Sequence, residues 1–186
     1  MPEPASRARA LPVPASERLT WAAEVVAAGP GERVLEVGCG HGVLVDLLAR
    51  RPGAGPLVAV DRSATMVAAA TRRNRAAVEA GRVSLQTATL AGADLPERGF
   101  DVVVSFDVRA FWTPPAPEWD VVSRVLAPGG RVVVAFSVMG PGADEAIRAA
   151  VRRVAGERGF VEHAVHRAGT APMSSAAIEL RSPPDG

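Results

Sequence analysis

The chain has 186 residues, 48% of them hydrophobic and only 4% aromatic, so one domain with a core of Ala, Val and Leu is expected. Its 21 basic residues, all arginine, balance 20 acidic ones to a net charge of +1, and no basic block exceeds Arg72–Arg73–Asn74–Arg75, which excludes a broad nucleic-acid footprint. No apolar run reaches membrane-spanning length and the lone Cys39 excludes an intrachain disulfide, so the expectation is a cytoplasmic monomer or homodimer that binds neither membrane nor nucleic acid.

Residues 1–15 are rich in Pro, Ala and Arg without periodicity and read as a disordered arm; Ala10–Pro14 is too short and proline-broken for a signal segment. From Ser16, the apolar residues Leu19, Ala22, Ala23 and Val26 recur at helical spacing until Gly29–Pro30–Gly31. Val34–Val37 is a short apolar strand that stops at glycine. Leu44, Leu47 and Leu48 mark a helix that Pro52–Gly53 terminates. Leu57–Val60 is a strand ending at Asp61, and Ser63 caps a helix running to about Ala80. Val83–Thr87 and the buried run Phe100–Phe106 are the next strands. The loop Thr113–Pro117 leads into a short helix through Leu126, then a strand over Arg131–Phe136 and a helix over 143–157. Val161–Arg167 and Ser175–Arg181 are strands joined by a loop too short for a crossover helix, so they pair antiparallel. The pattern predicts an α/β, Rossmann-like, doubly wound sheet of seven mostly parallel strands with a C-terminal antiparallel hairpin. It spans 16–182, with 183–186 as a disordered tail.

The chemistry concentrates at Val34–Gly42, VLEVGCGHG, where a strand feeds a helix through glycines. Such a turn presents free backbone N–H groups and a positive dipole end, although it can also serve only to pack helix on strand. Gly38, Gly40 and Gly42 spell G-x-G-x-G rather than the dinucleotide fingerprint G-x-G-x-x-G, and a chain without lysine has no P-loop.

VLEVGCGHG resembles the first motif, E/D-x-G-x-G-x-G, of the class I S-adenosylmethionine-dependent methyltransferases. VAVDRS (Val58–Ser63), FDVVVSF (Phe100–Phe106) and LAPGGRVVV (Leu126–Val134) resemble their second, fourth and fifth strand motifs in order, and the closing hairpin resembles their reversed last strand. The resemblance covers about residues 20–181.

It implies S-adenosylmethionine as cofactor, S-adenosylhomocysteine as product, and in-line methyl transfer to a small molecule. Glu36 would hold the glycine loop and the methionyl amino end, and Gly38, Cys39, His41, Gly40 and Gly42 would form the loop against the cofactor. Asp61 would accept from the ribose hydroxyls, unless it only complements a helix dipole. Arg62 and Met66 would flank adenine, unless Met66 belongs to the core, and Phe106 at the end of the fourth strand is a further expected cofactor contact. The acid that many relatives carry after the third strand is missing from Gln86–Ala91, leaving an oxygen of Thr87 or Thr89, or a backbone carbonyl, to hold the adenine amino group; Asp94 reads as a surface-loop residue.

The loop after the fourth strand would lie beneath the methyl. There Asp107 is the candidate catalytic base, with His163 and His166 as further candidates, and Trp21, Arg109, Phe111 and Trp112 are candidate substrate contacts. Phe111 and Trp112 would pack on the sulfonium or an apolar acceptor, or else anchor the loop in the core. Val108 and Arg109 replace the prolines of the N/D-P-P-aromatic motif, which argues against methylation of nucleobase amino groups. No Cys/His/Asp cluster suggests a metal. Two other readings stand beside methyl transfer: a non-catalytic protein of this fold that binds S-adenosylmethionine or S-adenosylhomocysteine, and an NAD-dependent oxidoreductase, which the glycine spacing disfavours.

Overall fold

The computed structural model describes residues 16–182; the expected arm 1–15 and tail 183–186 lie outside the described residues. Helix α1 (Glu17–Val26) starts where Ser16 Oγ accepts the Leu19 N–H. Strand β1 (Val34–Val37) and helix α2 (Val43–Ala49) follow, then β2 (Leu57–Asp61), α3 (Ala64–Arg73), α4 (Arg75–Glu79) and β3 (Val83–Thr87). The second half runs β4 (Phe100–Phe106), α5 (Glu118–Val125), β5 (Leu126–Ser137), α6 (Ala143–Gly156), β6 (Val161–Ala168) and β7 (Ser175–Arg181).

The seven strands form one sheet in the order β3-β2-β1-β4-β5-β7-β6. Strands β1 to β5 are parallel, and β7 runs antiparallel between β5 and β6. This is the expected doubly wound architecture. Because β1 continues outward to β2 while β4 returns on its other side, the carboxyl ends of β1 and β4 flank the crevice where open α/β sheets bind ligands.

Side chains alternate across the sheet and build two cores. Leu35, Val37, Val103, Val132 and Val134 pack on one face with Trp119, Val122 and Val125 of α5 and Val151 and Val154 of α6. Val34, Ala59, Val102, Val104 and Val133 pack on the other with Ala22 and Val26 of α1, Leu44 and Leu48 of α2, and Ala70 of α3. The same alternation puts Glu36 on this second face. No described helix is long and apolar enough to cross a membrane.

Two boundaries differ from expectation. The helix expected from Ser63 to about Ala80 breaks at Asn74 (φ −99°, ψ 16°), whose buried Nδ2 donates to the carbonyls of Ala70 at 2.9 Å and Gly42 at 3.0 Å. Its side chain braces the glycine turn. Strand β5 begins at Leu126 rather than Arg131 because Leu126 already pairs with Phe100, ahead of a register shift.

Candidate active site

The turn between β1 and α2 is fixed from below by backbone: the N–H groups of Gly38 and Cys39 both donate to Val60 O, at 2.8 and 3.1 Å. It is fixed from the side by Asp61, at the carboxyl end of β2. One oxygen of Asp61 accepts the Gly40 N–H at 2.9 Å, and the other accepts the Ser63 N–H at 2.9 Å. A carboxylate oxygen can take more than one donor, so Asp61 keeps acceptor capacity toward the crevice.

The glycines do different work. Gly42 has φ +72°, and a Cβ there would sit 2.6 Å from Asn74 Nδ2 and 2.7 Å from Ala70 Cβ, so it lets the start of α2 lie against α3. Gly40 (φ +51°) faces open space instead.

A cavity of about 490 Å³ opens beside this turn. It is lined by Val37, Gly38, Val60, Asp61, Arg62, Ala88, Thr89, Leu90, Asp107, Val108, Arg109, Ala110 and Glu118. Six of the residues expected from the sequence therefore meet at one cavity: Gly38, Asp61, Arg62, Thr89, Asp107 and Arg109. Thr89 Oγ1 accepts the Gly92 N–H at 3.2 Å and caps a short 3-10 turn.

Other expected residues lie outside its lining. Glu36 is buried behind the turn, and its Oε2 has no hydrogen-bond partner. Burial, and secondarily the Asp61 carboxylate, pushes its pKa up to about 8. Cys39 is buried, and desolvation first, then the Glu36 and Asp61 carboxylates, raise its thiol to about 12; it packs as a small apolar residue and is inert as a nucleophile. His41 is exposed, and its carbonyl accepts from Arg73 Nε at 3.1 Å. Met66 is half-buried on α3, and Thr87 is exposed at the end of β3. Phe106 lies under the Arg18 guanidinium, 5.8 Å from its ring centroid. Trp21 packs half-buried against the α1–α3 core.

Of the two roles expected of Phe111, its burial supports the anchor in the core. The residue is fully buried and meets Trp119 edge-on at 5.4 Å, while Trp119 Nε1 donates to its carbonyl at 3.1 Å. It anchors the loop in the core and is absent from the lining of this cavity. His163 and His166 also fall away, because both lie on the edge strand β6 and line neither this cavity nor the next.

A second cavity, of about 470 Å³, is lined by Arg18, Asp107, Arg109, Trp112, Ser137, Met139, Ile147 and Met173. Trp112 forms its wall, tilted against Phe136 at 5.8 Å. Asp107 and Arg109 border both cavities. Asp107 has φ +57°, and Ser137 holds its carboxylate through N–H (2.7 Å) and Oγ (2.8 Å). Arg18 approaches the same carboxylate at 3.5 Å and also donates to Ser137 Oγ. Sequence reasoning missed Arg18, Ser137 and Glu118, which belong to no local motif, and gave Val108 no part in the lining.

The family model described as a methyltransferase domain matches residues 34–130, from β1 into β5. The chain belongs to the class I S-adenosylmethionine-dependent methyltransferase family. Among curated relatives of this family, a ubiquinone/menaquinone biosynthesis C-methyltransferase from Geotalea daltonii is 29% identical over 116 residues, covering 61% of this chain and 49% of its own length. The chain thus spans between about a third and a half of the length of the curated relatives it matches. Among solved structures, a cyclase (SpnF) superposes with a TM-score of 0.72 at 17% identity, covering 89% of this chain and 82% of its own. Magnesium protoporphyrin IX methyltransferase from Synechocystis PCC 6803, solved with bound S-adenosylmethionine, gives 0.67 at 21% identity, covering 89% and 78%. That a cyclase shares the methyltransferase fold shows why the reaction has to be argued from the site.

Proposed function

We propose that this chain binds S-adenosylmethionine in the cavity beside the glycine turn and transfers its methyl group to a small molecule seated in the neighbouring cavity. The observation that carries this reading is the shared border: Asp107 and Arg109 line both spaces, so a donor in one meets an acceptor in the other. The residues fit the cofactor. A cavity of about 490 Å³ is in the range that holds such ligands, Asp61 has acceptor capacity for hydroxyl donors, and the unpartnered Glu36 Oε2 suits a cationic amino group.

The bound sulfonium would supply an already activated methyl group, so the protein has mainly to align the acceptor and exclude water. Asp61 holds the turn and the ribose end. Glu36, buried beneath the turn, favours a positive charge near it. Asp107 keeps the loop after β4 at the junction, because Ser137 and Arg18 engage its carboxylate; that anchoring suits positioning better than proton removal. The apolar walls Trp112, Ile147, Met139 and Met173 suit an acceptor with an apolar body. Arg109 makes no ion pair with a described residue and offers its charge to an anionic group on that acceptor.

Calorimetry with S-adenosylmethionine, S-adenosylhomocysteine and NAD, followed by turnover of S-adenosylmethionine in the presence of small-metabolite extracts, tests the reading. Binding of the first two and methylation of a low-molecular-weight compound are expected. Tight binding without turnover would support a non-catalytic cofactor-binding protein instead, methylation confined to the macromolecular fraction would move the acceptor to a protein or nucleic acid, and NAD binding would favour an oxidoreductase.

A further inference from the structure

The cavity beside the glycine turn is lined by Asp61 and, next to it, by the segment Ala88–Leu90 after β3, whose Ala88 N–H donates to the Asp61 carbonyl at 3.0 Å. The one side-chain oxygen of that segment, Thr89 Oγ1, already accepts the Gly92 N–H and keeps a single lone pair, and the neighbouring Gln86 amide is spent on the backbone of Asp94, which it contacts at 2.9 and 3.0 Å. No carboxylate comes from β3 or its loop to line the cavity.

One comes from α5. Glu118, its first residue, lines the cavity together with Ala88, Thr89 and Leu90, and its Oε2 is buried without a hydrogen-bond partner. A first-turn acid is favourable to a helix dipole, but that role is served from solvent and does not require burial. Leaving a buried acceptor unmade costs of the order of 1–3 kcal/mol. Neither Arg62 nor Arg109, which line the same cavity, pairs with this oxygen. The oxygen is left without a donor among the described residues.

Resting on the reading that this cavity holds S-adenosylmethionine, we propose that Glu118 accepts a hydrogen bond from the exocyclic amino group of the adenine. With the ribose hydroxyls at Asp61, that amino group is the donor the base presents to the rest of the cavity. The carboxylate then selects a 6-aminopurine over a 6-oxopurine, whose oxygen would face it acceptor to acceptor.

The test compares S-adenosylhomocysteine with S-inosylhomocysteine by calorimetry on the wild type, Glu118→Gln and Glu118→Ala. The wild type should prefer the adenosyl compound at least tenfold. Glu118→Gln, whose amide can turn its donor toward a 6-oxo group, should bring the ratio near one, and Glu118→Ala should lower it. A wild-type ratio near one, or a ratio unchanged in both variants, overturns the assignment of Glu118 while leaving cofactor binding intact. Failure of the wild type to bind S-adenosylhomocysteine at all overturns the reading of the cavity, and this inference with it.

Discussion

Asp61 accepts the backbone N–H of Gly40 at 2.9 Å, so the carboxylate at the end of β2 is a strut of the glycine turn before any ligand arrives. Its second oxygen accepts from Ser63 at 2.9 Å and ties the same strut to the start of α3. Replacing Asp61 with Ala should therefore weaken S-adenosylhomocysteine binding at least tenfold, about 1.4 kcal/mol for a lost charged hydrogen bond, and also lower the Tm of the apo protein. Asp61→Asn, which keeps one acceptor oxygen, should recover part of the Tm and less of the affinity. Calorimetric affinity equal to wild type in both variants would remove Asp61 from the ribose site.

Glu36 makes apo stability depend on pH in an unusual direction. A carboxyl group releases its proton near 4.5 in the unfolded chain, whereas burial holds the Glu36 proton to about pH 8 in the folded one. Between those values the folded state binds more protons, so this group costs stability as pH rises, by up to about 1.4 kcal/mol per pH unit. Below 4.5 both states are protonated and the contribution vanishes. Urea unfolding of the apo protein from pH 5.5 to 8 should show this decline, and Glu36→Gln should flatten it. If the cofactor's amino group meets Glu36, affinity for S-adenosylhomocysteine should instead rise over the same window, as the carboxyl gives up its proton on binding. Parallel stability profiles for wild type and Glu36→Gln would mean that Glu36 does not carry the effect.

What the sequence made legible was chemistry carried by neighbours in the chain. VLEV followed by glycines, and a strand ending in Asp61, place a turn and an acid at one sheet edge by strand order alone. Asn74 was not legible: inside an arginine-rich helix it reads as a surface residue, and only the approach of Gly42 to Ala70 turns its amide into a buried brace. Phe111 and Trp112 are adjacent and similar in type, yet a 3-10 turn over Arg109–Phe111 sends one into the core and the other to a cavity wall. The grip of Arg18 and Ser137 on Asp107 joins segments far apart in the chain, and Glu118 reads from sequence as an ordinary first-turn acid.

Gly42 and Gly40 separate close packing from backbone conformation alone. At Gly42 a Cβ would meet Ala70 at 2.7 Å and Asn74 Nδ2 at 2.6 Å on a backbone with φ +72°, so Gly42→Ala adds overpacking to left-handed strain. A destabilisation of about 2–4 kcal/mol is expected. Gly40→Ala has only its φ of +51° to contend with, since nothing lies within 4 Å, and should cost about 1 kcal/mol. Urea midpoints at fixed pH would read the difference. Equal losses at both positions would contradict the close contact between α2 and α3.

Phe111 and Trp112 should part company in the same way when each is cut to Ala. Phe111 is fully buried against Trp119, so its loss should cost about 3–5 kcal/mol of stability, in the range of large aromatic truncations in cores. Trp112 is half-buried and lines the second cavity with Met139, Ile147 and Met173, so its loss should cost less stability. It lies outside the lining of the cavity beside the glycine turn, and Trp112→Ala should therefore bind S-adenosylhomocysteine within about twofold of wild type, a difference under 0.5 kcal/mol. Its signature should be a raised KM for the acceptor, because a wall of the acceptor space is gone while the donor site stands. Loss of cofactor affinity in Trp112→Ala with an unchanged acceptor KM would place the tryptophan on the donor side and empty the second cavity of its assigned role.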